Sequence, residues 1–288
     1  MNRTMNRCLS ALTVAAALTC CGNVVAAERI VSIGGAVTEI LFELGLADRI
    51  VAVDSTSLYP QVATKLPDVG YTRTLSAEPI LALRPDLILH VADAGPPEAF
   101  EQLDAVGVTR IPISNTPTPD GVAKKILDTA RAVGMEVEGQ AIVKRLEGEL
   151  AGLNTLTGKS AAKPSVLFVM SFDGAAALAA GIETAADNII RLAGGTNAGA
   201  SFNGYKPLGA ESVAGMNIDV LLTTERAVRV AGGLDAVQQL AVVQASGAAQ
   251  RDRLVIMDPL LLLGFGPRYI AAARELAAQL SLVPGETL

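Results

Sequence analysis

The sequence predicts an α/β protein built from two doubly wound α/β lobes, with a long connecting helix between them and a ligand cleft where the lobes meet. Three observations predict this fold. Short apolar strands alternate with helices in both halves of the chain, which is typical of parallel sheets covered on both faces. A long helical stretch, residues 119–157, separates the two halves, and the second half repeats a segment of the first.

The N-terminal lobe is predicted to span residues 28–118. Apolar runs bounded by polar or glycine residues predict four strands, at residues 29–33, 50–53, 86–91 and 108–113. Gly34-Gly35 closes the first strand and opens a helix over residues 36–44. Pro96-Pro97 begins a second helix that Gly107 stops, since proline favours helix starts and glycine favours helix ends.

The connecting segment has apolar residues at helical spacing, namely Val122, Ile126, Val133, Ile142, Leu146, Leu150 and Leu153. We expect Gly134 and Gly139 to interrupt this helix. The C-terminal lobe, residues 158–288, then restarts the alternation, with strands at residues 166–170, 220–224 and 254–257 and helices at residues 187–192 and 266–280.

The two lobes share a repeated unit. Residues 73–89 align with residues 206–222 at a constant offset, which pairs Leu75, Ala77, Glu78, Asp86 and Leu89 with Leu208, Ala210, Glu211, Asp219 and Leu222. A repeat that occurs once in each half predicts two similar lobes rather than a longer array. Ligands usually bind at the cleft between such lobes.

The first 27 residues have the order of a secretory signal. Arg3 and Arg7 precede an apolar run over residues 8–21, and Val25-Ala26-Ala27 supplies small residues for cleavage before Glu28. The run is shorter than the ~20 residues that cross a bilayer. A lipoprotein signal at Cys20 or Cys21 and a buried N-terminal helix are the alternatives. We expect export to the periplasm.

Composition narrows the classes of partner. The three cysteines (Cys8, Cys20 and Cys21) all lie in the predicted signal, so the mature chain would have no disulfide or thiolate metal site. Cleavage removes two arginines and no acid, which moves the formal charge from −6 to −8. An acidic surface argues against nucleic acid as a partner. After the signal, no apolar run approaches the length needed to span a membrane.

Three segments carry a family resemblance: residues 54–60 (DSTSLYP), 66–78 (LPDVGYTRTLSAE) and 261–268 (LLLGFGPR). Together they resemble the periplasmic haem-binding proteins of bacterial haem-uptake ABC transporters, over essentially the whole mature chain. The wider class includes carriers of cobalamin and ferric siderophores. The resemblance implies a monomer that closes little on its ligand. It also implies haem b (ferric protoporphyrin IX) as transported ligand, an inner-membrane ABC permease with its ATPase as partner, and an outer-membrane haem receptor system upstream.

Tyr71 and Arg73 are the first candidates for binding. From the residues alone, Tyr71 is a loop tyrosine, and packing at a lobe edge is favoured over ligation. The resemblance assigns it as the axial ligand of haem iron. A phenol has a pKa of about 10, and both ferric iron and a neighbouring cation favour its anion. Arg73, two residues further on, is placed to supply that cation.

The second lobe offers weaker candidates for the opposite wall. The repeat places Tyr205 and Lys206 in the loop equivalent to Thr72 and Arg73, and Arg226 and Arg229 follow a predicted strand end. We select Tyr205, Lys206 and Arg229 as cofactor-binding residues, because cations pair well with propionates. The alternative for each cation is a solvated surface charge. His90, the only histidine, is expected to be a structural residue.

Glu78 and Glu211, the paired acids of the repeat, begin equivalent helices. A helix start favours an acid through the helix dipole, so neither residue needs a partner. The resemblance implies instead that the two glutamates, one on each lobe, dock on arginines of the permease.

Two other functions remain open at this point. Within the same class, the ligand is a ferric siderophore or cobalamin. In another class, the chain is a secreted α/β hydrolase-like or redox enzyme, although neither a G-x-S-x-G nor a G-x-G-x-x-G motif is present. One histidine and no mature cysteine argue against carriers of zinc or manganese. The sequence therefore favours a carrier over an enzyme.

Overall fold

The N-terminal lobe contains a four-stranded parallel sheet. The computed structural model describes residues 27–158, 163–173, 176–248 and 253–281, so the predicted signal lies outside the described residues except for Ala27. The strands are β1 (Ile30–Ile33), β2 (Ile50–Val53), β3 (Leu87–Val91) and β4 (Thr109–Ile113), in the order β2-β1-β3-β4. β1 and β3 are buried along their whole length, as expected for central strands with helices on both faces.

Three helices and two 3-10 turns connect these strands. They are α1 (Gly35–Glu43), α2 (Ala77–Ala82) and α3 (Pro97–Ala105), with 3-10 turns at Ala47–Arg49 and Gln61–Lys65. All pairings in this sheet are parallel, so the carboxyl ends of its strands meet at one edge. The loops that leave this edge carry the candidate residues of the first lobe.

The connecting segment is two helices, α4 (Pro119–Ala132) and α5 (Glu136–Thr157). The expectation of an interruption is right at Gly134, whose φ of 71° lies in the left-handed region that ends helices, and wrong at Gly139, which lies inside α5. α4 packs on α1 in the N-terminal lobe. α5 has 22 residues and is therefore about 33 Å long. It packs on α4 at one side and on C-terminal helices at the other.

The C-terminal lobe is a mixed sheet in the order β10-β9-β5-β6-β8, with β7 beside β5. Its strands are β5 (Ser165–Asp173), β6 (Ala176–Ala180), β7 (Thr196–Asn197), β8 (Tyr205–Gly209), β9 (Val220–Thr224) and β10 (Leu254–Met257). β5, β7, β9 and β10 run parallel, whereas β6 is antiparallel to both β5 and β8. Its helices are α6 (Ala185–Leu192), α7 (Ala210–Ala214), α8 (Glu225–Val230), α9 (Leu234–Gln239), α10 (Ala241–Ala245), α11 (Pro259–Leu263) and α12 (Tyr269–Ser281).

The placement of Tyr205 and Lys206 in a loop was wrong. Both residues belong to β8, which pairs with β6 at the edge of the sheet. The equivalent N-terminal segment is a turn with no partner strand. The α/β fold class is confirmed. The second lobe adds two strands, β6 and β8, that pair in antiparallel orientation.

The paired aspartates of the repeated segment, Asp86 and Asp219, have the same structural role in the two lobes. Asp86 precedes β3, and its carboxylate accepts hydrogen bonds from the backbone N–H groups of Glu28 and Arg29 at the start of β1. Asp219 precedes β9, and its carboxylate accepts a 2.7 Å hydrogen bond from the N–H of Ser165 at the start of β5. Each aspartate thus ties the beginnings of two adjacent parallel strands together, once in each lobe.

One apolar core continues from lobe to lobe. It contains Leu89 and Val122 from the first half of the chain together with Phe168, Leu222 and Phe265 from the second. Smaller clusters cover the outer face of each sheet. Among the described residues, no helix combines the length and apolar character required to span a bilayer.

Candidate functional site: the cleft between the lobes

The loop that carries Tyr71 is fixed to the end of β2. The backbone carbonyl of Gly70 accepts a 3.0 Å hydrogen bond from the N–H of Ser55, and the Asp68 carboxylate accepts one from the N–H of Gly70. Gly70 has a φ of 102°, a conformation that glycine adopts without strain. The chain turns at this glycine, and the Tyr71 side chain that follows is 45 % exposed.

The turn from Tyr71 to Leu75 is held at both ends. The N–H of Thr74 donates to the Tyr71 carbonyl, the N–H of Gly95 donates to the Thr72 carbonyl, and the N–H of Leu75 donates to the Gly95 carbonyl, each at 2.9 Å. Thr72 is buried between two exposed neighbours, Tyr71 and Arg73. The two candidate side chains therefore project to solvent from one anchored turn.

Arg73 contacts an acid that the sequence did not single out. Its Nη2 atom lies 2.8 Å from Oδ2 of Asp93, which follows β3. Oδ1 of Asp93 accepts a 2.8 Å hydrogen bond from Nδ2 of Asn115, and Oδ1 of Asn115 accepts a 2.7 Å hydrogen bond from Nζ of Lys125. These four side chains form a continuous path, the Arg73–Lys125 relay, from the exposed turn into the core.

Lys125 is fully buried at the inner end of the relay. Its Nζ also donates to the carbonyl oxygens of Phe265, at 3.0 Å, and Gly264, at 3.4 Å. Burial lowers the pKa of Lys125 to about 8, and the nearby charges of Asp93 and Glu39 oppose that shift. The relay thus connects the cleft to the segment after α11, which belongs to the other lobe.

The same segment binds the first lobe through an ion pair. Arg268 donates from Nη2 and Nε to the two carboxylate oxygens of the buried Glu39, at 2.7 and 3.0 Å. Its guanidinium carbon also lies 3.5 Å from the centre of the Tyr59 ring. Burial raises the pKa of Glu39, while the bond to Arg268 opposes the rise. Residues 261–268, noted above only for their resemblance, therefore join the two lobes.

Asp54 organises the other loop at this edge. Its carboxylate accepts hydrogen bonds from the N–H of Gly34 at 2.8 Å, from both the N–H and hydroxyl of Thr56, and from the hydroxyl of Ser57. Asp54 is buried, so these donors satisfy a charge that would otherwise be costly. The result is a fixed loop on which Leu58, Tyr59 and Val62 remain largely exposed.

Tyr205 of the opposite wall interacts with the Tyr71 turn electrostatically. Burial raises the pKa of Tyr205, and the charge of Arg73 partly offsets the rise. The Lys206 ammonium lies 5.5 Å from the centre of the Phe202 ring. Arg229 is in the last turn of α8, exposed like Arg226, and neither arginine makes an ion pair within the described part of the chain. The structure places Tyr71 and Arg73 on one turn of the first lobe and Tyr205 on β8 of the second, and among the described residues it gives no direct contact of Tyr205, Lys206 or Arg229 with that turn.

Apolar side chains flank both walls. Leu58, Tyr59 and Val62 precede the Tyr71 turn, and Val230 and Leu234 follow Arg229. All five side chains are at least two-fifths exposed, so each lobe offers apolar surface to a ligand. Exposed apolar residues beside cations are suited to a flat, amphiphilic ligand that carries acids.

His90 lies away from this site. It is buried at the end of β3, stacks on Phe100 at 4.3 Å, and has its Nδ1 atom 2.9 Å from the Val91 carbonyl. Burial lowers its pKa. It borders a surface cavity of about 360 Å³ together with Arg110 and Glu101. Over the described ranges, no three His, Cys, Asp or Glu side chains stand close enough to hold a metal ion.

The docking candidates occupy equivalent positions on the two lobes. Glu78 is in the first turn of α2 and Glu211 in the first turn of α7, and both side chains are exposed. Neither carboxylate makes an ion pair with another described residue. Both remain available to a partner.

Two α/β lobes, a connecting segment of two helices and the cleft between the lobes define a two-lobe ligand-binding protein. Comparison with known families identifies it more closely: residues 30–261 match the model of the periplasmic binding protein family, so the chain belongs to that family. The described fold also resembles several solved structures. The chain is 39 % identical in sequence to the periplasmic haem-binding protein BhuT, whose structure was solved in complex with two haems. The two structures match with a TM-score of 0.83, and the match covers 88 % of this chain and 97 % of that one.

Two further structures mark the range of the likeness. The periplasmic haem-binding protein RhuT from Roseiflexus sp. RS-1 is 36 % identical with a TM-score of 0.84, over 88 % of this chain and 97 % of that one. The periplasmic vitamin B12 binding protein BtuF of Vibrio cholerae is 26 % identical with a TM-score of 0.71, over 89 % of this chain and 98 % of that one. The likeness thus extends from haem carriers to a cobalamin carrier.

Proposed function

We propose that this protein captures haem b in the periplasm, with Tyr71 as the axial ligand, and delivers it to an inner-membrane ABC permease. The observation that carries the proposal is the anchored turn that exposes both the Tyr71 phenol and the Arg73 side chain. The likeness to the haem-binding proteins BhuT and RhuT supports haem as the ligand.

The chemistry of the cleft suits ferric haem. A phenolate is a hard anionic donor for Fe(III), and the phenol gives up its proton to solvent when it binds. Arg73 favours that anion, and Lys206 and Arg229 are available for the propionates. The exposed apolar residues on both walls would bury the porphyrin faces, which contributes about 25 cal/mol per Å² before the cost of association.

Hemin titration of the purified protein tests this function. We expect a Soret band with a charge-transfer band typical of tyrosinate ligation. Tyr71→Phe removes only the hydroxyl, so it should abolish the charge-transfer band and weaken binding while leaving apolar contacts. Tyr59→Phe, an equally exposed tyrosine on the neighbouring loop, is the matched control and should keep the band. An unchanged ferric spectrum in Tyr71→Phe would place the ligand elsewhere.

The principal alternative is a ferric siderophore or cobalamin carrier, which the likeness to BtuF favours. The same titration with cyanocobalamin and with a ferric siderophore separates these ligands. Tight binding of either one, without a Soret band on hemin addition, would replace haem. A hydrolase-like or redox enzyme is the remaining alternative, and turnover of a chromogenic ester without ligand binding would support it.

Export and docking complete the proposal. We infer that residues 1–27 are removed, so the intact mass of periplasmic material should begin at or near Glu28. A lipidated Cys20 or Cys21 would contradict this. Glu78 and Glu211 would then dock the two lobes on the permease, because each is an exposed, unpaired acid at an equivalent helix start.

A further inference from the structure

Asp93 is bound by two donors that face it from different directions. Arg73 donates to Oδ2 and Asn115 donates to Oδ1, each at 2.8 Å. Asn115 presents its NH₂ group because its own oxygen accepts from Lys125. Only a carboxylate accepts on both sides, since an asparagine at this position would direct its NH₂ group at a donor.

The pair sits where a bound anion would compete for it. Arg73 lies two residues from Tyr71 in the same anchored turn, and its charge acts on Tyr205 of the opposite wall. A phenolate or a ligand carboxylate in the cleft therefore needs the same guanidinium that Asp93 holds. The ion pair is exposed on both sides, so exchange of one oxygen acceptor for another is rapid and nearly balanced in free energy.

Asp93 keeps its place when Arg73 moves. Its backbone lies two residues from Gly95, which is tied to the Tyr71 turn by two backbone hydrogen bonds. Asn115 still donates to its carboxylate, and the nearby charge of Lys125 stabilises it. The Asp93 carboxylate thus stays beside the cleft, where it can bind the Arg73 guanidinium again.

We propose that Asp93 competes with the bound ligand for Arg73 and so sets how readily the protein releases that ligand. The inference rests on the proposed function, in which Arg73 supports an anion of the haem–tyrosinate complex. Asp93 is in this sense a positioning residue: it acts through Arg73 and favours dissociation. A carrier that must hand over its cargo benefits from an acid that recovers the arginine as the cargo leaves.

The test is the rate of hemin dissociation into an excess of apomyoglobin, measured by stopped flow. Asp93→Asn and Asp93→Ala should slow dissociation about two- to fivefold, the range expected for one exposed ion pair. Asp93→Glu, which keeps the charge, should stay near the wild-type rate. Asp104→Asn is the matched control, because Asp104 also pairs with an arginine of the same lobe, Arg110, and neither residue belongs to the Tyr71 turn. It should leave the rate unchanged.

The same substitution made in an Arg73→Ala variant shows whether Asp93 acts through Arg73. In Arg73→Ala protein, Asp93→Asn should have no further effect on the rate. Unchanged or faster dissociation in both Asp93→Asn and Asp93→Ala overturns the inference, and loss of packing alone would give the faster rate. Slowing that persists in the Arg73→Ala background also overturns it. A wild-type protein that binds no hemin overturns the proposed function and this inference together, whereas normal binding with an unaffected Asp93→Asn rate overturns this inference alone.

Discussion

Lys125 on α4 donates a 3.0 Å hydrogen bond to the carbonyl oxygen of Phe265, a residue 140 positions further along the chain. The bond joins the first lobe to the segment that follows α11 of the second. Phe265 has a φ of 45°, which is uncommon for a residue with a side chain, and its carbonyl points at the buried ammonium. Lys125 therefore contacts both Asn115 of the Arg73–Lys125 relay and the segment that joins the two lobes.

Lys125→Met should destabilise the protein by about 2–4 kcal/mol, because the change leaves buried carbonyl oxygens and the Asn115 amide without their donor. The free energy of unfolding from denaturant titration measures this loss. Lys124→Met is the matched control: Lys124 is the adjacent, exposed residue, paired only with Asp128, and its loss should cost less than about 1 kcal/mol. Equal losses for the two variants would contradict the role of Lys125.

The stability that Lys125 contributes should rise between about pH 8 and pH 10. Its pKa is about 8 in the folded protein and near 10.4 in an unfolded chain, so the unfolded state binds more protons in this range. Folding is then favoured as pH rises, by up to about 3 kcal/mol. The measurement is the difference in unfolding free energy between wild type and Lys125→Met at each pH, which cancels other titrating groups. A difference that is flat or falls over this range would refute the prediction.

Arg268→Ala should destabilise the protein by about 3–5 kcal/mol at pH 7, because it leaves the buried Glu39 carboxylate unpaired. The loss should be smaller at pH 5. Burial already raises the pKa of Glu39, and without Arg268 the pKa rises further, so the carboxyl can take up a proton and become neutral. Arg131→Ala, an exposed arginine on α4, provides the control and should change little at either pH. A loss that does not depend on pH would show that Glu39 is not the strained group.

Glu78→Lys combined with Glu211→Lys should abolish transport in reconstituted vesicles and leave hemin binding in solution unchanged. The two exposed acids lie on equivalent helices, so charge reversal would turn attraction to a basic permease surface into repulsion. The matched control is Glu136→Lys with Glu138→Lys, which reverses two exposed acids in the first turn of α5. Full transport by the Glu78/Glu211 double variant would exclude docking through these residues.

Strands with strong apolar runs could be predicted from the sequence, and so could the repeated unit. β1, β2, β3, β4, β9 and β10 lie within a residue or so of their expected positions. β1, β3 and β9 are buried along their whole length, where parallel strands need continuous apolar residues. β6 and β8 were missed. β6 is composed of four alanines and a leucine, and β8 is largely exposed and contains Pro207, so neither has a local strand signal. Their pairing with each other, and of β6 with β5, determines their conformation.

The turn that carries Tyr71 and Arg73 could be located from the sequence only through its motif, and the side chains that support it could not be predicted. Tyr71 and Arg73 are close in sequence, and the motif marks them. Asp93, Asn115 and Lys125 come from the ends of two strands and from α4, and Glu39 meets Arg268 across 229 positions. Contacts of this kind depend on the register of β3 against β4 and on the packing of α11, which no local pattern records.

The apolar core that runs through both lobes also determines how the protein denatures. Leu89 and Val122 share one cluster with Phe168 and Phe265, so unfolding of either lobe would expose apolar surface of the other. We therefore expect the two lobes to unfold as one cooperative unit, so that calorimetry records one transition with equal calorimetric and van't Hoff enthalpies. A ligand that touched only one wall of the cleft would protect both lobes against heat.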